Sequence, residues 1–92
     1  MAVGMLIDNP EGSQEQYDAL QKQLDLSTMP QGLIYHCAGP SPDGGWRVVD
    51  IWESEADAQR FFAETLLPAR EAAGLPDLSG EPVFWPIYHA LP

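Results

Sequence analysis

The stretch that decides the fold is GGWRVVDIWESEADAQRFFAETL, residues 44–66, in which a turn, a strand and a helix follow one another directly. Residues 46–53 are rich in β-branched and aromatic side chains and follow the turn signal Asp43-Gly44-Gly45, so we predict a strand there. Both faces of this strand are apolar at its centre. That pattern is typical of a strand covered on both sides.

A helix follows this strand without a linker. Ser54 is a favourable N-cap, and Asp57 takes the place of the Glu or Gln of a capping box. Apolar and small residues then recur at helical spacing, which predicts one buried face made of Ala58, Phe61, Phe62, Thr65 and Leu66. Pro68 cannot continue a helix, so we predict a new short helix over residues 68–73 that stops at Gly74.

Three further strands and one further helix are predicted outside this stretch. Apolar runs bounded by turn residues predict strands at residues 2–7, 33–38 and 83–89. Ser13 is an N-cap candidate for a helix over residues 14–26. The order is β-α-β-β-α-β, the ferredoxin-like pattern. We therefore predict one α+β domain over residues 1–92, with a four-stranded antiparallel sheet in the order four, one, three, two and both helices on one face.

The predicted sheet carries apolar residues on both faces, although helices cover only one of them. A monomer would expose a large apolar patch, and such patches mark interaction sites. We therefore predict a homodimer in which two sheets pack face to face and close a dimeric α/β barrel. Pro86 fits this arrangement, because proline within a strand belongs on an edge or at a bulge.

Composition excludes several classes of partner. The net charge of −10, from 14 acidic and 4 basic residues, argues against binding to nucleic acid. No stretch approaches the roughly 20 apolar residues of a membrane span, and the start of the chain has no signal-peptide pattern. We expect no membrane partner and a cytoplasmic location. The single cysteine, Cys37, permits no internal disulfide and is expected to be a small buried residue.

Asp50 and His36 are the candidate catalytic residues. Asp50 lies in mid-strand among apolar neighbours, where a carboxyl group can act as a general acid or base. The alternative is a structural salt bridge or a cross-strand hydrogen bond at the dimer interface, with Arg47 or Arg70 as a partner. His36 and His89 would lie on opposite edges of the sheet, and could form a shared proton-transfer or metal site across the dimer or be ordinary interface histidines.

Four aromatic residues are candidates for ligand binding, because the space between sheet and helices in a small barrel can hold a planar molecule. They are Trp52, Tyr35, Phe61 and Phe62. The alternative for all four is core packing. No spacing typical of a metal site occurs among the histidines, the cysteine and the acidic residues, so we predict no metal.

The chain resembles the dimeric α/β-barrel superfamily, in particular antibiotic-biosynthesis-monooxygenase-like domains. The resemblance rests on the β-α-β-β-α-β order and on VVDIWESEAD, residues 48–57, which is similar to the family's aromatic-rich third strand running into a capped acidic helix. The chain also resembles a subgroup of small uncharacterised proteins with a G-W-R-V-V-D-x-W-E-S stretch. The superfamily includes cofactor-free oxygenases, haem-degrading enzymes, isomerases and decarboxylases, so the resemblance implies a fold more than an activity.

The oxygenase and haem-degrading members use an Asn on strand one, a Trp on strand three and a His on helix two. The resemblance implies that Trp52 matches the Trp. Phe61 stands where the histidine would fall, and Asn9 comes only at the end of the first predicted strand. The haem-type set of residues is therefore incomplete.

Two functional hypotheses follow. In the first, the chain is a dimeric, cofactor-independent, monooxygenase-like enzyme that acts on a planar aromatic or polyketide-like molecule. Asp50 or His36 would move a proton, and Trp52 and Phe61 would stack on the substrate. In the second, it is a non-catalytic dimer that binds a small hydrophobic ligand or modulates a partner. Neither hypothesis includes a cofactor.

Overall fold

The computed structural model describes residues 1–24, 29–78 and 80–90 of the chain. The strands are β1 Val3–Asn9, β2 Leu33–Pro40, β3 Trp46–Trp52 and β4 Val83–Pro86. The helices are α1 Gln14–Gln23, α2 Glu55–Phe61 and α3 Leu67–Ala72, with a π-helical turn, Phe62–Leu66, between the last two. The predicted β-α-β-β-α-β order is confirmed. The predicted first helix extends to residues 25 and 26, which lie outside the described residues.

The sheet is antiparallel with the order β2-β3-β1-β4, as predicted. β1 and β3 pair from Val3 opposite Trp52 to Asn9 opposite Trp46, so β1 runs two residues beyond its predicted end. β4 lies on an edge, as Pro86 indicated, but it ends at that proline instead of continuing to residue 89. A proline has no N–H to contribute to the ladder, which explains the early end.

The cap of α2 is the one the sequence predicts. The Ser54 hydroxyl accepts a hydrogen bond from the Asp57 N–H at 3.1 Å and donates one to Oδ2 of Asp57 at 3.0 Å. These contacts satisfy an amide at the helix start that has no partner within the helix. They determine that α2 begins directly after Ser54, shortly after the end of β3.

The helical segment does not break at Pro68, in contrast to the prediction. The Leu67 N–H bonds to the carbonyl of Phe62, five residues back, and this π-helical turn leads directly into α3. A wider turn accommodates the proline, whose ring would clash with the carbonyl four residues earlier in a regular α-helix. α3 stops at Gly74, as predicted: the Gly74 N–H bonds to Glu71 and the Leu75 N–H to Arg70, the Schellman pattern.

The π-helical turn changes which residues face the sheet. One extra residue rotates the following helix by about 100° relative to a regular helical repeat. Thr65, which the periodicity placed on the buried face, is exposed. Leu66 is buried as predicted, and Ala69 and Arg70 are buried as well.

The two faces of the sheet differ in their surroundings. The helices cover the face that carries Met5, Ile7 and Trp52, and these residues form the core with Leu20, Ala58, Leu66 and Ala69. The opposite face, which we call the open face, carries Leu6 and Gly4 of β1 with their cross-strand neighbours Val49, Ile51, Val83 and Trp85, and on β2 the residues Tyr35 and Cys37.

Within the described residues, no helix has the length and apolar character that crossing a membrane requires.

Candidate active site

A cavity of about 180 Å³ lies between the covered face of the sheet and the helices. Its wall is mainly apolar and includes Met5, Ile7, Leu20 and Leu66, together with the helix-facing residues of β3. An engineered apolar cavity of roughly 150 Å³ is enough to bind benzene. The cavity therefore has room for a molecule with one substituted aromatic ring.

His36 and Asp50 face each other on this wall. They are direct cross-strand partners in the β2–β3 ladder, and Nδ1 of His36 lies 2.5 Å from Oδ1 of Asp50. Asp50 is only 3% exposed. A carboxylate so deeply buried needs a hydrogen-bond partner, and the imidazole supplies it.

Tyr17, on α1, forms a hydrogen bond with the other ring nitrogen of His36. α1 places Oη of Tyr17 2.5 Å from Nε2 of His36, with the two rings stacked at a centroid distance of 6.1 Å and an angle of 6°. Trp46 also packs against Tyr17, with the two ring centroids 5.4 Å apart. Three titratable side chains thus form one continuous hydrogen-bonded chain, Tyr17–His36–Asp50, along the cavity wall.

The direction of these hydrogen bonds follows from the chemistry of the groups. An ionised carboxylate can only accept, so Nδ1 of His36 donates to Asp50, and Nε2 is left to accept from the Tyr17 hydroxyl. Burial raises the pKa of Tyr17 above its usual value, and the nearby charges of Asp50 and Asp18 raise it further. Tyr17 is therefore a protonated donor at neutral pH.

This arrangement can move a proton. Tyr17 can accept a proton from a bound molecule while passing its own to His36, and Asp50 stabilises the imidazolium that forms. The order of groups is that of a nucleophile–histidine–acid triad, with tyrosine in the place of the nucleophile. The phenol is positioned by the histidine, and the histidine is oriented by the buried acid.

The structure brings together some of the predicted site residues and separates others. His36 and Asp50 are in contact, and Trp52 and Phe61 both line the cavity with ring centroids 5.4 Å apart. Phe62 packs against the core without lining the cavity. Tyr35 is 56% exposed on the open face, because alternate side chains of a strand point to opposite sides.

Other expectations about single residues also change. Arg47 pairs with Asp8 at 2.8 Å instead of with Asp50. Cys37, expected to be buried, is exposed, since it lies on the open face. His89 lies beyond β4 and is exposed.

Tyr17, Trp46 and Arg70 also line the cavity, although none of them was predicted to do so. Tyr17 lies in the first predicted helix at helical spacing from Leu20 and Leu24, and its hydroxyl on that apolar stripe was the available signal. Arg70 is buried and lines the cavity, but only the π-helical turn turns it inward. The described residues contain no cluster of three or more His, Cys, Asp or Glu side chains arranged to hold a metal ion.

The fold is ferredoxin-like, and the solved structures that resemble it include candidate antibiotic biosynthesis monooxygenases. A variant of SnoaB, a cofactor-independent oxygenase from Streptomyces nogalater, superimposes with a TM-score of 0.64 at 16% identity, over 99% of this chain and 96% of that chain. A candidate antibiotic biosynthesis monooxygenase from Chloroflexus aurantiacus gives 0.62 at 16% identity, over 98% and 97%.

A third solved structure has no assigned activity. It is a dimeric ferredoxin-like protein of unknown function from Jannaschia sp. CCS1, with a TM-score of 0.56 at 12% identity, over 92% of this chain and 96% of that chain. At these identities the likeness establishes the fold alone, and it confirms the structural resemblance drawn from the sequence. No model of a protein family and no curated protein sequence matches the chain.

Proposed function

We propose that this protein binds a small planar aromatic molecule between sheet and helices and moves a proton to or from it through the Tyr17–His36–Asp50 chain. The observation that carries the proposal is the position of this hydrogen-bonded chain on the wall of an apolar cavity large enough for one ring. Trp52 and Phe61, which line the same cavity, are the stacking surface for the ring.

The acidic group of the substrate is a phenol or an enol. Its hydroxyl would donate to Oη of Tyr17, which passes a proton to Nε2 of His36. The buried Asp50 then holds the imidazolium in place. General acid–base assistance of this kind contributes a factor of about 10²–10⁴ to a rate.

A cofactor-independent oxygenation is the finer form of this proposal. Removing the proton leaves an electron-rich phenolate or enolate, and an anion of this kind is what reacts with O₂ when no cofactor supplies electrons. The likeness in fold to SnoaB supports this form. The aromatic wall would keep water away from the anion.

We also propose that the chain functions as a homodimer through its open face. That face carries Leu6, Val49 and Ile51 at its centre, and Tyr35 and Val83 are more than half exposed on it. A second copy would cover these side chains. The dimeric Jannaschia protein of the same fold supports this arrangement.

A second candidate function, binding without catalysis, is favoured by one feature of the site. Both ring nitrogens of His36 are already engaged, one by Asp50 and one by Tyr17. Because the hydrogen bonds of Tyr17, His36 and Asp50 are already complete, these side chains can serve only to stabilise the wall of a binding site. The two candidate functions differ in one measurable property: only the catalytic one makes the ring hydrogens of a bound phenol exchange with solvent faster than those of the free phenol.

Resorcinol, a single-ring phenol, separates them. Tryptophan fluorescence measures its binding, NMR in D₂O follows exchange of its ring hydrogens, and an oxygen electrode follows O₂ uptake. We expect wild type to accelerate exchange, and Asp50→Asn and Tyr17→Phe to bind with similar affinity but exchange about 100-fold more slowly. Tyr88→Phe, which alters a fully exposed tyrosine, is the control.

The outcomes are distinct. Binding with the same exchange rate in wild type and variants would establish the non-catalytic candidate. Exchange without O₂ uptake would keep the proton transfer and remove the oxygenase form. Absence of binding by any single-ring phenol would contradict the proposed function.

A further inference from the structure

Four buried polar atoms have no hydrogen-bond partner among the described residues, and all four belong to residues that line the cavity. They are Oε1 of Gln16, Nε1 of Trp46, Nε1 of Trp52 and Nε of Arg70. Buried polar groups are almost always paired, so unpaired ones need an explanation. Three of the four are donors. A molecule bound in the cavity would therefore need hydrogen-bond acceptors.

Arg70 is the most demanding of these residues because it is charged. It is 8% exposed and Trp52 is fully buried. The guanidinium donates from Nη2 to the carbonyl of Pro76 at 2.8 Å, and Nε has no partner. Burial lowers the pKa of Arg70, which records the unfavourable loss of solvent around the charge.

The chain's other arginines show what this group normally binds. Arg47 holds Asp8 through Nε and Nη2, at 3.3 and 2.8 Å, and Arg60 holds Asp57 at 2.9 Å. Arg70 forms no ion pair within the described residues. Asp77 acts on Arg70 electrostatically, but that residue is exposed.

The local fold puts Arg70 in this position at a cost. The π-helical turn, a rare and less favourable form, rotates Arg70 inward and leaves Thr65 exposed. The Schellman hydrogen bond from Leu75 to the Arg70 carbonyl then fixes its backbone. π-helical turns are frequent at functional sites. Arg70 is thus a buried cation that has no ion pair in the part of the chain that the structure describes, and core packing does not explain its position.

We infer that the ligand of this cavity is a small aromatic carboxylate, with its carboxylate on Nε of Arg70. The inference rests on the proposed function, and it assigns the chemical class of the molecule that the cavity binds. A carboxylate supplies the acceptor that this donor lacks, and a guanidinium matches its planar geometry. Asp50, the acid on the same wall, is already bonded to His36.

Para-hydroxybenzoate and para-hydroxybenzamide form a matched pair of probes, because they differ in charge but little in shape. Titration calorimetry at neutral pH measures the affinity of each. We expect the acid to bind wild type about ten- to a hundred-fold more tightly than the amide, the usual range for a hydrogen bond to a charged group. Arg70→Met should bind the two with nearly equal affinity while keeping its affinity for the amide.

Arg60→Met is the matched control, since it removes the same charge from an exposed pair outside the cavity. It should keep the wild-type preference for the acid. If Arg70→Met does not fold, as judged by circular dichroism, the preference of wild type and its reduction in Arg70→Lys decide the question.

Equal affinity of wild type for acid and amide would overturn the inference and leave the proposed function intact. A preference that survives in Arg70→Met would overturn the assignment to Arg70. Absence of binding by both probes and by resorcinol would overturn the inference together with the proposed function.

Discussion

Asp50 illustrates how one residue links stability to the site. Its buried carboxylate depends on His36, and His36 also receives the Tyr17 hydroxyl. Removing one partner from a buried pair leaves the other with its full desolvation penalty. The hydrogen bonds among Tyr17, His36 and Asp50 therefore stabilise the fold in addition to any role in proton transfer.

We expect His36→Leu to lower the free energy of unfolding by about 1–3 kcal/mol, because it leaves Asp50 buried and unpaired. The double variant His36→Leu/Asp50→Leu should recover part of this loss, since no buried carboxylate remains. Urea unfolding measures both. If the double variant loses the sum of the two single losses, the two residues do not interact.

Tyr17 gives the site a pH dependence on the alkaline side. Its folded-state pKa is raised, so the protein prefers the protonated phenol. That preference contributes stability below the unfolded value of about 10, and the contribution is lost as the pH rises through the higher folded value. In an absorbance titration, Tyr17 should therefore ionise at a higher pH than a free tyrosine. In Tyr17→Phe this late transition should be missing, and its persistence there would contradict the assignment.

Among the elements, the β2–β3 hairpin has a register that the sequence did not predict. The pattern of Gly39 and Pro40 predicts a loop from residue 39, because both residue types favour turns. In the structure β2 continues to Pro40, which an edge strand tolerates. Two more residues in the strand shift the pairing and place His36 opposite Asp50. The pairing of the two candidates was thus missed although both were identified.

The helix after β3 shows a different limit. Its cap at Ser54 follows from local hydrogen bonding and could be predicted. The π-helical turn depends on accommodating Pro68 while burying Leu66 and Ala69, which is a requirement of packing and not of periodicity. A regular helical repeat therefore placed Thr65 inside and did not identify Arg70.

The turn between β2 and β3 offers a matched pair of substitutions. Gly44 and Gly45 both have positive φ, at 95° and 89°. A Cβ on Gly44 meets nothing, whereas one on Gly45 would lie 2.2 Å from the Asn9 carbonyl oxygen. We expect Gly44→Ala to lower the unfolding free energy by about 1–2 kcal/mol from backbone strain alone, and Gly45→Ala to lower it more. Equal losses in urea unfolding would mean that contact with β1 is unimportant.

At the scale of the whole molecule, the sequence predicts the sheet order and the apolar character of both sheet faces, but not which of the two faces the helices cover. The fold follows because strand and helix patterns are local, and the β-α-β-β-α-β order leaves few topologies. The cavity does not follow in the same way. It depends on how far α1 and the segment of α2 and α3 stand from the sheet, which no periodicity encodes. The apolar residues of the open face have no helix to cover them, which is why we propose this face as the dimer interface.

We expect Val49→Lys to convert the proposed dimer, twice the 10.1 kDa chain, into a folded monomer. Val49 lies at the centre of the open face, opposite Leu6 and Cys37, and two lysines facing each other there would be buried without partners. Ala63→Lys, on the exposed side of the helix, is the control.

Cys37 reports on the same face, because a dimer should shield its thiol from a maleimide. Native mass spectrometry and thiol labelling should therefore change together, with Cys37 reacting slowly in wild type and in Ala63→Lys but rapidly in Val49→Lys. A wild-type chain that is monomeric at micromolar concentration, or a dimer whose Cys37 reacts freely, would show that the open face is not the interface.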